Sequence, residues 1–234
     1  MSEEEKKIAD QARKYIRKNR KAVLFRAFAD DADYVADTAP VTVFMAGSPG
    51  AGKTEISREL VKQFKTKAVH IDADEIRKML PGYTGTNAHL FQAAASIGVD
   101  ELYIRCLSRG FNVVVDGTFA HLQTDQNIRK SFAKDRKVVI YFIYQDPVVA
   151  WDFTRKREVV EQRKITKDMF VKGYCLSRSN VAEAKAKFGD RIELNLIIKN
   201  LTNDAIGNFY QNISSLDMYI PNMYTESELY AKLP

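Results

Sequence analysis

The residues Gly47-Ser48-Pro49-Gly50-Ala51-Gly52-Lys53-Thr54 constrain this chain more than any other stretch. They match the pattern G-x-x-x-x-G-K-[ST] in full, and the context fits. The apolar run 41–46 precedes them, and Ile56, Leu60, Val61 and Phe64 follow at helical spacing. Glycines let successive backbone N–H groups turn inward on phosphate oxygens, and the following helix adds the positive end of its dipole. The whole loop is therefore a candidate nucleotide-binding segment. Lys53 is expected to reach the β- and γ-phosphates, and the Thr54 hydroxyl to ligate Mg²⁺.

Such a loop joins a strand to a helix, and the pattern beyond it keeps alternating. Strands are predicted over 41–46, 68–72, 112–116, 138–144 and 192–198, with helices over 52–64, 74–80, 90–109, 122–134, 148–162 and 167–187. Short β-branched runs with little alternation suit strands buried on both faces. The expected fold is α/β, a P-loop NTPase-like doubly wound parallel sheet of about five strands flanked by helices. Residues 1–38 read as an N-terminal helical extension opened by a capping box, Ser2 with Glu5. Residues 39–234 read as the P-loop domain, ending in a helical tail with a weak pattern around 203–215. The basic stretch from Lys14 to Lys21 is a solvated helix face or an interaction surface.

Composition removes several other classes. At 234 residues and 45% hydrophobic, the chain can close a core without disulfides or structural metals. Cys106 and Cys175 are its only cysteines and form no CxxC, which argues for reduced thiols. No apolar run approaches the roughly 18 residues that span a bilayer. The start is acidic, with Glu3, Glu4 and Glu5, so no membrane partner and a cytoplasmic location are expected. A net charge of +6 suits anionic substrates such as nucleotides but is too mild to make nucleic acid the expected partner. His70, His89 and His121 have no second His or Cys at metal-ligand spacing.

Carboxylates end the strands near the loop. The second strand closes on Asp72-Ala73-Asp74, where one carboxylate can face a metal and the other an acceptor hydroxyl. A carboxylate at 74 can take the proton of an incoming hydroxyl, while either residue can cap the next helix. The third strand closes on Asp116-Gly117-Thr118, a metal contact of Walker-B type or an acceptor contact. Beyond the fourth strand lie Arg155, Arg157 and Arg163, suited to the charge that spreads over a migrating phosphoryl group. Arg155 and Arg157 cannot share a helix face, so at most one of them points at a given phosphate. Trp151 reads as core packing.

Over about 41–200 these residues resemble the zeta-toxin family of P-loop kinases. The resemblance makes Asp74, 21 positions past Lys53, the catalytic base. It assigns Asp100, on the helix before the third strand, and Asp116 and Thr118 to acceptor binding, with Asp72 beside them. It maps the two phosphate-neutralising arginines best to Arg157 and Arg163. Both acidic matches are Asp where the familiar members have Glu, one methylene shorter. The resemblance implies a phosphotransferase with an alcohol group as acceptor, using ATP and Mg²⁺ on a small-molecule hydroxyl such as that of a UDP-sugar. It also implies a small helical antitoxin as partner. Two rival readings stand beside it: a nucleotide-dependent binding module, and a polynucleotide or nucleoside kinase. Against the first, the chain has no Asn/Thr-Lys-x-Asp base-reading motif.

Overall fold

The computed structural model describes residues 1–161, 165–200 and 206–234. The chain opens with α1 (Glu3–Arg20), where the Ser2 hydroxyl accepts the Glu5 amide and the Glu5 carboxylate accepts the Ser2 amide. A π-helical turn (Lys21–Phe25) carries α1 into α2 (Arg26–Phe28). There follow β1 (Val41–Ala46), α3 (Lys53–Lys62), β2 (Ala68–Asp72), α4 (Ala73–Lys78), α5 (Ala88–Arg109), β3 (Asn112–Asp116) and α6 (Thr124–Phe132). The chain is completed by β4 (Lys137–Tyr144), α7 (Pro147–Glu161), α8 (Lys167–Phe188), β5 (Ile192–Lys199), β6 (Ile206–Tyr210) and α9 (Glu226–Lys232).

Among the described residues the strands form one sheet in the order β2-β3-β1-β4-β5-β6. The first five are parallel, and β6 runs antiparallel to β5. The central strand β1 buries both faces. Its Phe44 and Ala46 join the core beneath α1 and α5, while Val43 and Met45 pack on Ile56, Leu60 and Val61 of α3. A third cluster, centred on Trp151 and Phe170 with ring centroids 5.2 Å apart, receives Leu229 of α9. Trp151 is core, as its sequence context predicts. Cys106 is buried, Cys175 half-buried, and both thiols are free. Among the described residues no helix is long and apolar enough to cross a membrane.

The parallel strands and their helices fall within a few residues of the predicted spans. The tail corrects the prediction: residues 206–210 form a strand where a weak helical pattern over 203–215 is expected, residues 203–205 lying outside the described ones. Ile206 and Phe209 are three apart and mimic a helical face, but both are more than half exposed. An edge strand half in solvent has no buried run to mark it, and its stability comes from pairing with β5. Among the described residues the sheet thus has six strands, in line with the expected sheet of about five.

Candidate active site

The loop between β1 and α3 is held from behind by α8 and by the β3 terminus. The Gly47 amide donates to the Ser177 hydroxyl at 2.7 Å and to the Thr118 carbonyl at 3.4 Å. Gly47 has φ +132°, and a methyl group there would collide with the Ile143 carbonyl oxygen, so only glycine fits. Pro49 meets Gly173 of α8, whose missing side chain leaves it room. The Lys53 ammonium donates to the Ser48 carbonyl at 2.6 Å, folded back over its own loop.

Asp72 and Asp116 are register partners at the carboxyl ends of β2 and β3, and both are buried. Asp72 caps α4 by accepting the Asp74 amide at 2.8 Å, so capping falls to the first aspartate. Burial, with the neighbouring Asp116 charge adding to it, pushes the Asp72 carboxyl up to about 6. Asp116 accepts from the Ser57 hydroxyl at 3.1 Å, and Ser57 also meets His70 Nε2 at 2.9 Å. Burial lowers the His70 pKa despite Asp116 nearby.

A cavity of about 480 Å³ opens beside this pair, and Thr54, Asp72, Asp74, Tyr83 and Arg157 are among its walls. Asp74 is fixed there by Arg77, which bonds the Asp74 carboxylate through Nη1 and Gln92 of α5 through Nη2. Arg77 is only 3% exposed, so this side chain is built into the fold. Helix phase separates the two arginines of α7. Arg157 lines the cavity, whereas Arg155 pairs with Glu158 and lies 5.7 Å from the Trp151 ring. Arg163 lies outside the described residues.

Other predicted site residues stand apart from the cavity wall. Asp116 faces α3, and Thr118 contacts the loop through its carbonyl. Asp100 is half-buried on α5, where burial raises its carboxyl while Lys130 and His121 pull the other way. The cavity therefore gathers Thr54, Asp72, Asp74 and Arg157 but not Asp100, Asp116 or Thr118. Sequence reasoning gave no role to Ser57, Arg77 or Ser177. Arg77 carried a legible signal, an arginine one helical turn after Asp74. Ser57 carried a fainter one, a hydroxyl one turn after Thr54. Ser177 lies 130 residues from the glycine it holds and carried none. Among the described residues, no three His, Cys, Asp or Glu side chains cluster as a metal site.

A family model described as Zeta toxin matches residues 25–213. No curated protein matches the chain in sequence. Among solved structures, a chain of the PezAT chromosomal toxin–antitoxin system of Streptococcus pneumoniae is similar at 16% identity and a TM-score of 0.66. The match covers 97% of this chain and 92% of that one. The AvrRxo1-ORF1:AvrRxo1-ORF2 complex with sulphate ions is 17% identical with a TM-score of 0.61, covering 98% of this chain and 72% of that one. The same pair with ATP gives 17% and 0.55, covering 88% and 64%. At these identities the likeness to solved structures is one of fold.

Proposed function

The chain belongs to the zeta-toxin family, and from that premise we propose that it is an ATP-dependent kinase that moves the γ-phosphoryl group onto a hydroxyl of a small molecule. Family membership supports a P-loop kinase; the acceptor class and the residue roles are our reading. One observation carries it: Asp74 and Arg157 line the same cavity as Thr54, at the mouth of a loop shaped for phosphate.

In this reading the loop amides hold the α- and β-phosphates and Lys53 reaches the β- and γ-phosphates. Asp74, aimed by Arg77, accepts the proton of the acceptor hydroxyl. The hydroxyl oxygen bonds to the γ-phosphorus as the bond to the bridging oxygen breaks, and ADP leaves with its electron pair. Arg157 neutralises charge on the transferring oxygens. Mg²⁺ suits this site. The Thr54 hydroxyl and Asp72 carboxylate are hard oxygen donors, and the crowding of Asp72 by the Asp116 charge favours a cation. When bound, the ion supplies neutralisation of phosphate charge. Asp100, Asp116 and Thr118 stand as acceptor-side candidates, and a UDP-sugar is the acceptor we favour. A small antitoxin is the proposed protein partner, in line with the toxin–antitoxin system named for the Streptococcus pneumoniae structure.

The test is transfer of label from γ-³²P-ATP with Mg²⁺ to sugar nucleotides, nucleosides and 5′-hydroxyl oligonucleotides offered in parallel. The expected result is a labelled sugar nucleotide. Label found only in the oligonucleotide, or only as inorganic phosphate, would contradict it.

A further inference from the structure

The last residue of β5 is a lysine on a face that is otherwise closing over apolar packing. Alternation along β5 puts Ile197 and Lys199 on the α3 side of the sheet, where Ile197 packs with Val43, Met45 and Ala51. An apolar side chain at 199 would extend that cluster. Lys199 is instead a buried cation, 4% exposed. Its side chain runs over Gly52, the residue that caps α3. A methyl group built on Gly52 would collide with the Lys199 ammonium and would have Cδ and Cε at 3.3 Å. Gly52 has φ +81°, so the backbone conformation favours glycine there, and the flexible head of Lys199 occupies the space where a side chain would begin.

The backbone around Lys199 is held firmly. Gln145, buried just past the end of β4, donates to the Asn200 carbonyl at 3.1 Å. Pairing with β6 slips by one residue at Lys199, Gly207 being the extra one, a device common beside functional sites. In the sheet order β5 lies on the other side of β1 from β2, so the strand that carries Lys199 and the strand that leads to Asp74 flank the loop from opposite sides. Lys199 is placed beside Gly52 by a rigid strand instead of a loop.

We propose that Lys199 is a second phosphate-binding lysine, contacting the α- and β-phosphates of the bound nucleotide while Lys53 serves the β- and γ-phosphates. The chemistry is that of an ammonium beside amides that already cradle the α/β region. The inference rests on the nucleotide reading above and adds a residue to it. A lysine there secures nucleotide diphosphates as firmly as triphosphates, because it does not touch the group that is transferred.

The experiment is calorimetric titration of ATP and ADP into wild-type, Lys199→Met and Lys199→Gln chains, with Lys199→Arg as the charge-keeping control. Lys199→Met keeps the buried stem, and Lys199→Gln keeps a polar head if methionine disturbs folding. Both are expected to weaken ATP and ADP alike by about tenfold, with arginine recovering most of the loss. Affinities within twofold of the wild type in the folded variants, or a loss confined to ATP, overturn the role of Lys199. A wild-type chain that fails to titrate with either nucleotide overturns the nucleotide reading, and this inference with it.

Discussion

Asp72 and Asp116 end neighbouring parallel strands at the same register, so their carboxylates share one buried wall. The charged form of Asp72 is disfavoured first by burial and then by Asp116, and its pKa rises from the ordinary carboxylate value to about 6. A carboxyl that binds its proton more tightly in the fold than in the unfolded chain weakens the fold above that pKa. The cost disappears as pH falls through 6 towards 4. A rise of that size costs the fold at most about 3 kcal/mol. Asp72→Asn keeps an oxygen for the Asp74 amide and removes the charge. Its melting midpoint is expected a few degrees above the wild type at pH 7.5 without ligand, with the gap closing near pH 4. A variant that melts below the wild type at pH 7.5 would refute this. At this scale the sequence was legible where chemistry is contiguous, as in the loop and in Asp72-Ala73-Asp74. It was illegible where partners come from distant elements, as with Ser177 behind Gly47 or Gln92 behind Arg77.

Helix phase decides which side chains reach the cavity. Pro147 opens α7, and the Asp146 carboxylate accepts the Val148 amide at 3.0 Å. From that start Arg157 reaches the cavity wall while Arg155 pairs with Glu158, a choice that sequence alone left open. The parallel strands were legible because each is largely buried on both faces, whereas β6, exposed over all but its last residue, left only a pattern that mimics a helix. The first helix is tied into the fold: its Ala12 and Ile16 lie in the main core with residues of α5 and β2. Ile16 is completely buried, so Ile16→Ala should cost about 2–4 kcal/mol. In urea the variant is expected to unfold in one transition at a lower midpoint, with helical and aromatic signals moving together. Loss of the helical signal alone, ahead of the rest, would mark α1 as an independent appendage.

Taken as a molecule, the chain gathers the residues of the proposed site at one end of the sheet. The P-loop after β1, Asp72 and Asp74 after β2, Asp116 at β3, Lys199 at β5 and Arg157 on α7 all converge on the carboxyl ends of the parallel strands, where open α/β sheets bind ligands. A net charge of +6 suits the polyanion that this end would receive. The account depends on Asp74 acting in transfer and not in holding the nucleotide. The decisive measurement compares wild type and Asp74→Asn in two readouts, ATP affinity by calorimetry and ³²P transfer to the phosphorylated acceptor. The expected result is an ATP affinity within a few-fold of the wild type while transfer falls by about a thousandfold. Transfer by Asp74→Asn at the wild-type rate would contradict the account.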